Sequence, residues 1–598
     1  TPPPGTAPSP DGYVGATACT PCHREIAASY ARTGMGRAFY RLTPATQVED
    51  FTDRNRFEAP GERVAWEMSA RDGRYAIRQI ALGERGEELA SVEREILYVV
   101  GSGNHTRSYV TGDDGYLYQM PVCWYPDKPG WDLCPGFEHN DQFFMREANR
   151  ECLFCHNGRV RAAEGTTNRF TGPMPMGIGC ERCHGPGARH VAYWKKSPEV
   201  MPERDTTIVN PARLEGRARI QVCMQCHLGE TSGTQRIERT GRDLIDYRPG
   251  GDLLRFIDPI AVRPPEENLF GLTGQADRLI YSRCYRESGG AIDCLTCHDP
   301  HVSVYSIENR AAHFRAACLT CHADHPCALP EKERTGRPGG DDCVACHMRR
   351  SEPADLRFAR FTDHWIRRRI DPPGPPPVTR HSLEMAPLFE AAHSEEVRAE
   401  AQADLGEAYV RIKQLTPSAA AIPWSVPEKV LRGALEADPS NAKAWYQLGK
   451  IALAQGSPTE ALGDFREAVR AEPDHFLSLK EMGTTLLGLG RNDEAVKVLR
   501  EAIQVKPDDL KSLTNLGRAL VIAGKEDEGE EIFKSAAALA PAHSTPLANL
   551  GLLAERRGDH AEAVRYLREA AAREPSNAGI WNALASSLSL TGDREGAE

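Results

Sequence analysis

Residues 180–190 read CERCHGPGARH, and their first five letters decide how the N-terminal half of the chain folds. Two cysteines two residues apart, with His directly after the second, recur seven times. The groups are Cys19–Cys22–His23, Cys152–Cys155–His156, Cys180–Cys183–His184, Cys223–Cys226–His227, Cys294–Cys297–His298, Cys318–Cys321–His322 and Cys343–Cys346–His347. His accounts for only 19 of 598 residues, so chance does not put it behind every pair. Structural zinc also favours CxxC pairs, but zinc ribbons do not require His in the next position. A turn of helix carrying CxxCH lays both sulfurs along one porphyrin edge, where they form thioethers to the vinyl groups. The same turn sets the imidazole under the metal. The spacing predicts seven covalently bound c-type haems, all before residue 350.

Haem attachment of this kind takes place outside the cytoplasmic membrane, so a periplasmic or extracellular location is expected. The opening TPPPGTAPSP reads as a mature or trimmed end whose export segment has been removed. No apolar run approaches the roughly 18 residues of a membrane span. The net charge of −11 argues against nucleic acid as a partner. Four cysteines lie outside the motifs, and an oxidising compartment makes disulfides their default state. Cys123 and Cys134 flank the turn-like Asp127-Lys128-Pro129-Gly130 and are expected to pair, which leaves Cys284 with Cys327 by elimination.

The composition is that of a globular chain, and its punctuation divides it. Residues 1–12 form a Pro-rich tail, 13–370 a heptahaem domain, 371–385 a Pro-rich linker containing DPPGPPP, and 386–598 a repeat domain. Within the haem domain, 57–122 lacks motifs and shows strand-like alternation in Arg74–Ile80 after the turn dipeptide Asp72-Gly73, so a small β-rich insert is expected there. The rest of that half is expected to have sparse secondary structure, with porphyrins supplying much of the buried apolar surface.

After the linker the sequence is periodic. Pro439, Pro473, Pro507, Pro541 and Pro575 are 34 apart, as are Gly456, Gly490, Gly524, Gly558 and Gly592. Trp445, Leu479, Leu513, Leu547 and Trp581 hold a large apolar site. Ala461, Ala495, Gly529, Ala563 and Ala597 hold a small one. A 34-residue helix–turn–helix unit with these residues is the tetratricopeptide repeat. Leu405-Gly406 looks like an earlier copy, with Gly449 one period plus 9 residues further on. The fold class is mainly α: a multihaem cytochrome c domain with a β insert, then an α-solenoid. The chain stops as the second helix of the last repeat begins, without a polar cap, and is expected to continue.

Seven irons require seven positions opposite the motif histidines unless one is left open to substrate. Seven histidines precede the linker outside the motifs: His105, His139, His190, His301, His313, His325 and His364. Met35, between Gly34 and Gly36, is a further candidate, since glycines permit close approach to a porphyrin. It lies 12 residues beyond His23, so the helix must fold back or Met35 must serve another haem. His190 and His301 follow a motif His by six and three residues, too few to wrap the same porphyrin, so each is assigned to a neighbouring haem. His139 sits in a polar loop and His325 directly before Pro326. His381, His393, His475, His543 and His560 read as structural or exposed. Arg349-Arg350 and Arg367-Arg368-Arg369 are candidates to pair with propionates.

On YVGATACTPCH (13–23), GIGCERCHGPGARH (177–190), VCMQCH (222–227) and CLTCHDPH (294–301), the chain resembles the multihaem cytochromes c that share a haem-packing core with hydroxylamine oxidoreductase and pentahaem nitrite reductase. The fused repeats narrow the resemblance to repeat-containing bacterial members. It implies stacked and perpendicular haem pairs with mostly bis-His irons, and it implies that His190 and His301 are distal ligands. The chain departs from the family in having no CxxCK motif and in carrying Met35 where the related pattern usually has His. The leading expectation is electron transfer, with the repeats docking a redox partner or another copy of the chain. An oxidoreductase of small nitrogen or sulfur compounds and a subunit of an extracellular cytochrome filament are the alternatives. Intact mass spectrometry should exceed the 65.9 kDa polypeptide by seven haem masses; an excess of six or fewer contradicts the motif count.

Overall fold

The computed structural model describes residues 12–593 and 596, apart from 61–62, 129, 139–143, 164–165, 197–203, 230–232, 264–270, 325–326, 338–339, 354–355, 371–383, 390–394, 416–418, 420 and 576. Strands begin earlier and end later than the expected insert. A four-stranded antiparallel meander runs through Arg56–Glu58, Val64–Arg71, Arg74–Leu82 and Glu88–Glu95. Its central hairpin turns on Asp72 and Gly73, both at positive φ, with Arg71 opposite Arg74. Alternation sends Val64, Trp66 and Met68 inward against Ile77, Tyr109, Trp124 and Trp131.

A second antiparallel sheet follows the order Phe39–Tyr40, Tyr98–Val100, Ser108–Asp113, Tyr116–Gln119 and Arg146–Glu147. Its outer strands are two residues long and have no alternation of their own; Phe39 and Tyr40 are extended because Val99 and Val100 pair with them. The β region therefore spans 39–147 rather than 57–122. Cys123 and Cys134 form a disulfide at the hairpin of Val122–Tyr125 with Gly130–Leu133. Cys284 and Cys327 are free thiols, which corrects the pairing reached by elimination.

The region holds a fully buried ion pair. Arg107 donates to Glu49 Oε1 at 2.9 Å and to the carbonyl of Thr46 at 2.8 Å, and the Tyr109 hydroxyl donates to Glu49 at 2.7 Å.

A third sheet joins the two halves. Thr234–Glu238, Ile257–Arg263 and Glu384–Pro387 pair antiparallel, so a boundary at 385/386 falls inside a strand. The helix Glu395–Leu415 packs on this sheet, where the Tyr409 hydroxyl accepts from the Met385 amide at 2.9 Å. Helices then alternate to Ala578–Thr591. At Gly406, Gly449, Gly483, Gly517 and Gly551 a Cβ would lie only 2.3–2.6 Å from Leu431, Phe465, Leu499, Phe533 and Leu567 respectively. This close approach of helix to helix is why the period keeps glycine there. Gly406 behaves as the others do, so the first pair, with its inserted residues, is structurally a repeat.

Between these parts, the described residues of 150–347 form mostly short helices around one apolar cluster in which Phe154, Ile220, Met224, Leu253, Ile257 and Leu279 are buried, and Cys343–His347 adds none of its residues to that cluster. Arg310–His322 is 13 residues long and has no buried side chain, although it carries Phe314, Leu319 and four alanines.

Removing one partner of a buried ion pair strands the other charge, at a cost of about 3–5 kcal/mol. Glu49→Ala should lower unfolding stability by that much in urea titrations. A loss within the roughly 1 kcal/mol of an exposed pair would mean that Arg107 is solvated.

Candidate haem-binding sites

Helices of one or two turns are marginal by themselves, and the helices at the second, fifth, sixth and seventh motifs are held by caps. Asn149 accepts from the amides of Glu151 and Cys152, Asp293 from Leu295, Asn309 from Ala312 and Asp342 from Val344. Each cap is an Asn or Asp just before its helix, a signal visible in the sequence.

Three motif histidines face an imidazole from elsewhere. His23 faces His190 with ring centroids 6.2 Å apart and planes 19° apart. His184 faces His301 at 6.1 Å and 18°, and His298 faces His364 at 6.1 Å and 36°. A first-row metal bonded to two imidazole nitrogens at about 2 Å each, with each nitrogen about 1 Å from its ring centre, separates the centres by about 6 Å. The gaps and donors fit an iron held between each pair. His190 and His301 thus stand across from histidines of motifs other than the ones they follow in sequence.

The other ring nitrogen is tied down. Nδ1 of His184 donates to the carbonyl of Val209 at 2.8 Å, that of His347 to the carbonyl of Arg367 at 2.8 Å, and that of His364 to the carbonyl of Thr362 at 3.0 Å. His227 Nδ1 meets Gln275 Oε1 at 3.1 Å, while His190 and His301 donate to Asp205 at 2.8 Å and to Asp299 at 3.2 Å. Carbonyls and carboxylates only accept, so the proton sits on Nδ1 and the Nε2 lone pair is left for a metal. A buried clamp fixes the segment of His364: Arg278 makes a bidentate pair with Asp363 at 2.9 and 2.7 Å. Burial drives the His156 and His364 imidazoles down to about 4, so both are neutral at physiological pH, as a ligand must be.

Thiols of different motifs lie against one another. Cys19 meets Cys180, Cys155 meets Cys226, Cys223 meets Cys294 and Cys318 meets Cys343. Cys183 interacts electrostatically with Cys223, and Cys318 with Cys297. Burial pushes the Cys183 thiol up to about 12.

The remaining candidates are placed differently. The helix from Arg24 ends at Tyr30 and the chain folds back, so that the Met35 carbonyl accepts from Ile178 N at 3.0 Å. Met35 thus lies beside the third motif, and His190 stands opposite His23. His105 Nε2 is engaged by the Tyr305 hydroxyl at 2.8 Å, with its ring 4.0 Å from Phe361. His313 lies on the exposed face of Arg310–His322, its ring 5.1 Å from Phe314. His139, His325, His381 and His393 lie outside the described residues. In the repeats, His475 caps the helix Phe476–Gly488 through Nδ1 as acceptor, the opposite tautomer. His543 packs on Tyr118 of the β region, 5.7 Å between centroids. Arg367 lies 3.8 Å from Asp363, and Arg368 and Arg369 are exposed. The anchors Val209, Asp205 and Gln275 went unseen in the sequence, because only tertiary structure brings them to their histidines.

Residues 138–185 match the family described as cytochrome c554 and c-prime, and residues 428–476, 480–544 and 545–587 match tetratricopeptide repeat families. No curated protein matches the chain. Among solved structures, MamA from Desulfovibrio magneticus RS-1 is 23% identical over 26% of this chain and 88% of its own, with a TM-score of 0.25. The pilF protein of Pseudomonas aeruginosa is 24% identical over 34% and 88%, with a TM-score of 0.29. YrrB, a TPR protein with an unusual peptide-binding site, is 23% identical over 32% and 97%, with a TM-score of 0.27.

Proposed function

We propose that this chain transfers electrons outside the cytoplasm through seven covalently attached c-type haems, and that its repeat array docks a partner protein or another copy of the chain. The observation that carries the reading is the set of three imidazole pairs, each joining a CxxCH histidine to a distant one across 6.1–6.2 Å. Haem iron between two imidazoles supplies one-electron transfer at a potential set by its ligands and surroundings.

The protein's own part is to hold and order these groups. Cys19 and Cys22, Cys152 and Cys155, Cys180 and Cys183, Cys223 and Cys226, Cys294 and Cys297, Cys318 and Cys321, and Cys343 and Cys346 would anchor the porphyrins. The His after each pair would be the proximal ligand. Meeting thiols connect motif 1 to 3, 4 to 5, 6 to 7 and 2 to 4, and thiols near enough to interact electrostatically connect 3 to 4 and 5 to 6. Groups held on these motifs would form one connected series with a side member. The match to the cytochrome c554 family over 138–185 supports haem electron transfer, and the repeats support protein binding.

His190→Ala, His301→Ala and His364→Ala should each convert one low-spin haem to high spin in the electron paramagnetic resonance spectrum of the oxidised protein, with seven haems still attached. Spectra unchanged by all three substitutions would contradict the axial assignment.

A further inference from the structure

Resting on the reading of His23 and His190 as one iron's axial pair, we propose that Asp205 sets that haem's potential, holding it low through His190. Asp205 would not touch the haem. It is a positioning residue that acts through the imidazole.

The argument starts from how the ring anchors differ. His184, His347 and His364 lean on backbone carbonyls and His227 on a side-chain amide, all neutral acceptors. His301 leans on a carboxylate, but at 3.2 Å, and Asp299 is 59% exposed, so water screens its charge. His190 alone among these six has a short bond, 2.8 Å, to a carboxylate that is itself fixed. Asp205 Oδ2 also accepts from Trp194 Nε1 at 2.8 Å, and Oδ1 accepts from the Thr207 amide at 2.7 Å and the Thr207 hydroxyl at 2.5 Å. The Asp205 side chain is 22% exposed and that of His190 20%.

These donors do more than hold the helix Ala188–Lys195 to the segment at 204–207. They fix a full negative charge on the far side of the imidazole. A carboxylate accepting from Nδ1–H increases electron density at Nε2 and makes it a stronger donor to iron. A stronger donor favours the ferric state and lowers the potential, through hydrogen bonding beyond the ligand itself. The Thr207 and Trp194 donors compete for the same charge and so temper the effect. Removing the charge and removing a competitor should therefore move the potential in opposite directions.

The test is a potentiometric titration of the full-length haem-loaded protein, followed by optical and electron paramagnetic resonance spectra. Asp205→Asn should shift one midpoint potential upward and leave the other six in place, with seven haems attached and the low-spin signals retained. Thr207→Val should shift the same potential downward, and Asp205→Glu should restore it towards the wild-type value. Asp299→Asn, at the exposed pair, should give the smaller shift. Should Asp205→Asn fail to accumulate, Thr207→Val alone still decides the sign. If His190→Ala yields one high-spin haem while neither Asp205→Asn nor Thr207→Val moves any potential, the inference is wrong and Asp205 is only a structural clamp. If His190→Ala leaves all haems low-spin, the underlying axial assignment is wrong instead.

Discussion

An imidazole that offers Nε2 to a metal carries its proton on Nδ1, and that N–H needs an acceptor. Much of the N-terminal half follows from that requirement. His184 reaches Val209, His347 reaches Arg367 and His190 reaches Asp205, so each ring draws a later stretch of chain towards its own motif. His227 reaches forward to Gln275, and the amide of Ala276 donates to the His227 carbonyl, which docks the helix Gln275–Tyr281 on the fourth motif. Buried polar atoms need partners, and here satisfying them also positions each ring.

Energetics fit a fold assembled around groups that side chains do not supply. The motif helices are too short to persist alone, and Arg310–His322 presents Phe314 and Leu319 to no protein core. Among the described residues, conventional cores are three in kind. One is the aromatic interior of the β region around Trp66, Tyr109, Trp124 and Trp131, one is the cluster of Leu253, Ile257 and Leu279 among the motif helices, and the others are the alanine- and leucine-rich layers of the solenoid. The third sheet ties the motif-bearing region to the solenoid, Lys443 adds a second tie there by donating to the Glu238 carbonyl at 2.9 Å, and His543 on Tyr118 joins the solenoid to the β region.

Strictly spaced features were legible in the sequence. The 34-residue period is legible because its glycines are set by backbone and packing: Gly456, Gly490, Gly524, Gly558 and Gly592 all stand at positive φ, and Gly517 against Phe533 leaves no room for a methyl group. The hairpin at Asp72-Gly73 was legible because its backbone demands those residues. The identity of each facing pair was not, since nothing local ties His364 to His298. Nor was the strand Glu384–Pro387, four residues beside a Pro-rich stretch that are extended because Ala261 and Val262 pair with them. The cysteines show both outcomes. Cys123 and Cys134 flank one hairpin and could be paired from sequence, whereas elimination failed for Cys284 and Cys327 because it assumed that every thiol has a partner.

The account depends on iron lying between a motif histidine and an imidazole from outside that motif. An anomalous difference map at the iron absorption edge, from crystals of the full-length protein, measures this directly. It should show seven iron peaks, three of them between His23 and His190, His184 and His301, and His298 and His364. A map with no peak between His23 and His190, or with either ring turned away from the nearest iron, would contradict the account.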